Sequence, residues 1–260
     1  MKEFLNLLDK YFTVFLVWLL NKKEYRINEK YELLLDDTIK VGNRTLYRIK
    51  ALRDFGIIKK GSLGGYVESK RNLYHSGNAW VYENARVYGE ARVYGDAKVC
   101  GNAKVYGDAK VYGGAWVCGN AEIYENALIF NNARVYGEAW VGDNARVFNN
   151  ARVYENAMVY GEVWVCDNAR VYGDAKVYGD ALIFDNAEVY RNARVYGEVM
   201  VFGWARISGN ARVYGEARVF GSAWVYNKEV YGDTRVSGEA RVLRGLILME
   251  NNILINKKVI

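Results

Sequence analysis

The units Ala79-Trp80-Val81-Tyr82-Glu83-Asn84 and Ala85-Arg86-Val87-Tyr88-Gly89-Glu90 decide the fold. They open a run from Ala79 to Tyr226 in which Ala-x-Val-Tyr-Gly-(Asp/Asn/Glu) recurs every six residues almost without a break. Ala holds the first position as far as Ala223, replaced only by Val163 and Val199. Val holds the third, with Ile123, Ile129, Ile183 and Ile207 as variants. Two apolar residues at spacing two send both side chains to one face of a strand. The fifth and sixth positions then read as a corner. Strand and corner at period six describe a coil with flat sides. Three sides give an 18-residue triangular coil, and stacked coils pair their strands at about 4.8 Å. Roughly 28 units make about nine coils and a rod on the order of 45 Å long. Ala and Val alternate inward, so the interior is narrow and filled.

The corners follow a pattern of their own. Usually the fifth position is Gly, as at Gly89, Gly95 and Gly107. Where Gly is missing between Glu83 and Arg191, the sixth position is always Asn, as in Glu125-Asn126, Asp143-Asn144 and Asp167-Asn168. Gly and Asn best tolerate a left-handed backbone. The expectation is one left-handed residue per corner, supplied at either of the two positions.

Composition agrees with a chain of paired strands. Among 260 residues there are 26 Gly, 22 Tyr and no Pro. Proline cannot donate to a strand ladder, and Gly suits tight corners. A net charge of +6 hints at anionic partners. Three cysteines without a CxxC favour a reducing compartment. One histidine, His75, leaves too few ligands for a zinc cluster, so no metal and no cofactor are expected.

The unit Val141-Gly142-Asp143-Asn144-Ala145-Arg146 resembles the hexapeptide-repeat signature of aliphatic, Gly, two variable residues, small, variable. The stretch Gly64-Gly65-Tyr66-Val67-Glu68-Ser69, then Asn72-Leu73 and Gly77-Asn78-Ala79-Trp80-Val81-Tyr82, is similar to uncharacterised bacterial and phage proteins of the YdcK-like hexapeptide type. The resemblance spans residues 45–242. It implies an all-β fold, a single-stranded left-handed parallel β-helix, and it implies no activity.

The ends depart from the repeat. Residues 1–23 read as an apolar N-terminal helix, with Tyr11 to Leu20 free of charge. This stretch is short for a membrane span. It would dock on the β-helix or a partner, or lie on a membrane surface through residues 4–20. Residues 24–72 read as a strand-rich cap and first irregular coil, 73–242 as the β-helix, and 243–260 as a C-terminal cap. One residue drops from the register between Val225 and Val230. A cytoplasmic protein, membrane-associated through its N-terminal segment in the second case, is the expectation.

Residues 18 apart should stack in columns, which makes the three faces unequal. Tyr88, Tyr106, Tyr124, Tyr160, Tyr178, Tyr196 and Tyr214 form a tyrosine ladder. Lys98, Arg134, Arg152, Arg170 and Arg206 run beside Tyr136, Tyr154, Tyr172 and Tyr190, a basic-aromatic mixture of the kind that binds single-stranded nucleic acid. The third face carries Leu128, Phe130, Phe148, Trp164, Leu182, Phe184, Met200 and Phe202. Such a patch reaches on the order of 400 Å², enough to mark an interaction site. The leading expectation is a non-enzymatic scaffold that forms a homo-oligomer through this apolar face. One alternative is a polyanion-binding surface on the arginine face, with Arg134, Arg152, Arg170, Arg206, Tyr154 and Tyr172. Another is acyl transfer of the hexapeptide type with His75 as the base. Cys100 and Cys118, 18 apart, read as two small residues filling an aromatic column. A small-molecule ligand is not identified by any motif.

Overall fold

The structure, a computed structural model, describes residues 29–243 and the backbone of residues 246–248. The helix expected over residues 1–23 and most of the C-terminal cap lie outside the described residues. Three sheets of 12, 11 and 9 strands form the sides of a parallel β-solenoid. Each strand of the repeat pairs in register with the strand one coil on, as in Glu122 with Trp140, Trp116 with Arg134 and Leu128 with Arg146. The 18-residue coil read from the sequence is therefore the coil of the fold. Among the described residues there is no helix.

From Ala79 to Val225 every first- and third-position side chain is fully buried. Burial of each Val or Ile contributes about 1.5–3 kcal/mol. The backbone binds the coils by one rule. The N–H groups of the second, fourth and sixth positions donate to the carbonyls of the first, third and fifth positions of the next coil. Arg134 N to Ala151 O (2.9 Å), Tyr136 N to Val153 O (3.0 Å) and Glu138 N to Glu155 O (2.7 Å) show it.

The corner expectation needs correction. The left-handed residue always stands at the fifth position, never at the Asn that follows. Gly fills it at most corners, as at Gly119 (φ 72°), but Glu83, Glu125, Asp143, Glu155 and Arg191 adopt φ of 52–60° in the same place. Position is thus set by coil geometry, because a corner must turn where the fifth residues stack backbone on backbone. At several corners the sixth-position Asn serves the neighbouring coil instead. Asn156 Nδ2 donates to Asp174 Oδ1 at 2.9 Å, and Asn102 Nδ2 to Asn120 Oδ1 at 3.1 Å.

The dropped residue falls at a corner too. Asn227 (φ 54°) holds the fifth position and Lys228 follows directly as a first-position residue. Asn227 Oδ1 accepts the Asn210 N–H at 2.7 Å, so its side chain takes the hydrogen bond that a carbonyl takes elsewhere.

A solenoid needs its first carbonyls satisfied. Strands β1 (Tyr31–Val41), β2 (Arg44–Ala51) and β3 (Leu63–Val67) form an antiparallel meander, and β3 continues in parallel onto the first regular coil. Side chains finish the cover. Buried Asn72 donates to the carbonyls of Gly89 and Ala91, both at 2.9 Å. The buried Lys30 ammonium donates to the Ala79 carbonyl at 2.8 Å. Desolvation, with Arg53 nearby, lowers the Lys30 pKa to about 8. At the other end Arg241–Leu243 pairs antiparallel with Leu246–Leu248.

Candidate functional site

The three faces of the repeat place the candidate residues in columns. On the apolar face, Leu128, Arg146, Trp164, Leu182 and Met200 are consecutive register partners. Beside them run ring stacks: Phe130 on Phe148 (4.9 Å) and Phe184 on Phe202 (4.9 Å), with near-parallel planes. Trp164 turns its edge to Phe148 at 6.0 Å, and the Arg146 guanidinium lies over the Trp164 ring at 5.1 Å. The one charge in this column is thus laid on an aromatic face. Stacking hides the ring faces and leaves their edges outward, so most of these residues are half-buried, while Trp164 is exposed. Cys166 interrupts the ring column. Its thiol contacts Asp167 Oδ2, and burial pushes its pKa up to about 12, which makes it a poor nucleophile.

The arginine face looks different once its contacts are drawn. Tyr136, Tyr154, Tyr172 and Tyr190 stack at 4.8–5.0 Å. The cations, however, are mostly engaged. Lys98 and Arg134 lie above and below the exposed Trp116 ring at 4.7 and 5.4 Å. Arg170 and Arg206 both reach Glu188, at 3.4 and 3.8 Å. Of these five cations, Arg152 alone has neither contact among the described residues. Sequence reading missed both organisers, Trp116 and Glu188, although each stands in the column at a spacing of 18.

His75 sits in the N-terminal cap. Its Nδ1 accepts the Lys30 N–H at 3.0 Å, its ring stacks on Tyr31 at 4.5 Å, and its Nε2 is buried without a partner among the described residues. Burial lowers its pKa. Both nitrogens are thus turned into the cap, one engaged by Lys30 and the other buried. A cleft of about 710 Å³ on the cap, lined by Leu33, Leu35 and Leu52 among charged residues, contains none of the candidate residues. Among the described residues no His, Cys, Asp or Glu cluster could hold a metal ion.

Cys100 and Cys118 are joined as a disulfide between successive coils, their Cα atoms 4.5 Å apart. They are more than small fillers: in-register stacking brings them within bridging distance.

A family model described as YdcK Beta solenoid repeat matches residues 151–167, 205–216 and 211–227. Among curated proteins none matches the chain. Among solved structures, the chain is similar to an Arabidopsis UDP-N-acetylglucosamine acyltransferase, at 12% identity over 67% of this chain and 70% of that one, with a TM-score of 0.31. A likeness at that level says nothing about activity. The family match bears out the YdcK-like resemblance within the regular coils, without reaching Gly64–Ser69: the chain is a parallel β-solenoid whose repeats at 151–167 and 205–227 are similar to the YdcK type.

Proposed function

We propose that the chain is a non-enzymatic scaffold that self-associates through its apolar face. The observation that carries this reading is the coincidence of two substitutions on one side of the rod. Between Leu128 and Phe202 the second position turns from basic to mostly Leu, Trp and Met, and the fourth turns from Tyr to Phe. Loss of the phenol removes the polar group that lets a ring face water. No fold requirement explains it, since the tyrosine ladders stack at the same 4.9–5.2 Å as the phenylalanines. A flat column of this kind is self-complementary, which suits a two-fold contact. A stable dimer buries about 800 Å² per partner, so the column of about 400 Å² would form its centre and the adjoining corners its rim.

Light scattering on the wild type and on Phe184→Glu tests the reading. The wild type should run as a dimer or larger, and the variant as a monomer with its melting temperature little changed. A monomeric wild type, or an oligomer indifferent to Phe184→Glu, would refute it.

A further inference from the structure

The corner between the apolar face and the arginine face carries a feature that the repeat does not require. Four successive fifth positions there, Asn131, Asn149, Asp167 and Asp185, adopt φ of 58–59° without Gly, although Gly113 and Gly203 hold the same place in the adjoining coils. A left-handed non-Gly residue costs about 1–2 kcal/mol, somewhat less for Asn and Asp. The sixth positions of the same coils are Asn132, Asn150, Asn168 and Asn186. The corner after the tyrosine ladder differs: its sixth positions are mainly carboxylates, among them Glu90, Asp108, Asp180 and Glu198. The corner after the arginine face also carries sixth-position amides, among them Asn102 and Asn120, but its fifth positions in the coils of the apolar face are Gly, Glu or Arg. The double file, with Asn or Asp at the fifth position as well, is particular to one edge and to the coils that carry the apolar face.

Two further observations give this edge the form of a site. A groove of about 490 Å³ runs along it, lined by five Asn between Asn131 and Asn168 together with Asp167, and opening at Gly113 and Gly114. At the other end the sixth-position file passes from Asn186 to Trp204, an indole 65% exposed. Its backbone holds the ordinary corner bond, Trp204 N to Gly221 O at 2.7 Å, so the coil is undistorted and the ring projects by choice of residue alone. Part of the amide capacity is spent within the wall: Asn131 donates to Asn149 (3.0 Å), and Asn149 to Asp167 (2.9 Å). Asn132 and Asn150 have no side-chain hydrogen bond among the described residues, which leaves each with two donors and an acceptor oxygen for a ligand.

We propose that this edge binds an extended, neutral oligosaccharide along the rod axis. The chemistry narrows the choice. Asp167 and Asp185 repel a polyanion, and their carboxylates already accept hydrogen bonds from Asn149 and from the Gly203 N–H (3.1 Å), which leaves no cation cage. Hydroxyls both donate and accept, as amides do, so a hydroxylated chain can use both halves of every Asn. Amides repeat at the coil spacing of about 4.8 Å, a period that an extended chain of sugar rings can follow. The exposed face of Trp204 offers the apolar platform on which the C–H face of a terminal ring can lie.

The test is calorimetric titration of the full chain with cellohexaose and with chitohexaose, on the wild type, Trp204→Ala and the double variant Asn132→Ala/Asn150→Ala. Saturable binding of at least one hexasaccharide is expected, weakened about tenfold or more in both variants, with melting temperatures and light scattering unchanged. Absence of saturable binding by either sugar would overturn the proposal, as would binding that both variants retain. Should the double variant not fold, Trp204→Ala decides alone. Because the apolar-face reading is tested by oligomeric state, failure of one leaves the other standing.

Discussion

Gly142→Tyr should stabilise the rod. Gly142 occupies the fourth position in the tyrosine ladder, between Tyr124 and Tyr160 in the column. It is buried because the Tyr124 ring has folded over it: a Cβ at 142 would overlap the far end of that ring. Tyr124 is accordingly drawn off its neighbour, 5.9 Å and 19° from Tyr106, where Tyr88 and Tyr106 stack at 5.1 Å and 2°. The φ of Gly142 is not left-handed, so a side chain meets no backbone strain there. Tyrosine at 142 would push the flexible ring of Tyr124 back into line and add two stacks, to Tyr124 and to Tyr160. Each is worth about 0.5–1.5 kcal/mol, and replacing Gly where φ is compatible adds about 0.4–1 kcal/mol by restricting the unfolded chain. Re-exposing part of Tyr124 offsets some of this, which leaves a net gain of about 1–3 kcal/mol. At roughly 2–4 °C per kcal/mol for a chain of this size, thermal unfolding followed by circular dichroism should shift upward by several degrees. Gly142→Ala is the control, since it displaces Tyr124 and supplies no ring, and it should give no gain. A Gly142→Tyr melting temperature equal to or below that of the wild type would refute the account of the ladder gap.

The corner rule predicts that Gly119→Ala lowers stability by about 1–2 kcal/mol from left-handed strain alone. Its Cβ would also come within 2.9 Å of the Gly137 carbonyl oxygen, and Gly119→Asn should cost less than Ala; equal melting of Ala and wild type would count against the rule. His75 has a folded pKa below its ordinary 6.5, so the fold prefers the neutral ring. Cap stability should be complete above about pH 6.5 and fall as pH drops below it. Hydrogen exchange of β1–β3 reads this, and the acid sensitivity should vanish in His75→Gln. Closing an 18-residue loop, the Cys100–Cys118 bridge should contribute about 3 kcal/mol where it is oxidised. Alkylation of the unfolded, unreduced protein should then label only Cys166, and labelling of all three cysteines would show the pair open.

Much of this molecule was legible because a solenoid writes its contacts into its period. Spacing alone gave the inward Ala and Val, the three columns and the strands that pair. What stayed hidden depends on contacts within a column. The pattern could show that Glu125-Asn126 differs from Gly89-Glu90, but not that Glu125 itself turns left-handed, because the stacking of fifth-position backbones decides that. It could show Arg170 and Arg206 as a basic column, but not that Glu188 between them pairs with both and offsets one of their two charges. Gly142 fitted the hexapeptide signature, yet its reason lies 18 residues back in the ring of Tyr124. His75 could be weighed only by chemistry until β1 and Lys30 were placed against it. The Asn file and Trp204 were overlooked because each residue alone looks like an ordinary corner, and their meaning comes from succession along the axis.

The hand-over of hydrogen bonds from second, fourth and sixth positions to the next coil has a genetic consequence. Loss or gain of 18 residues within the regular run, for instance 151–168, would leave every surviving coil with a proper donor and acceptor partner. The rod would change in length by about 4.8 Å and keep its three faces. Loss of six residues would preserve the buried core equally well but rotate all later coils by one side. The tyrosine, arginine and apolar columns would then break and rejoin out of order. The core therefore tolerates slippage in units of six, whereas the surface tolerates it only in units of eighteen. Selection on the surface, rather than on folding, is what would hold such a chain to whole coils.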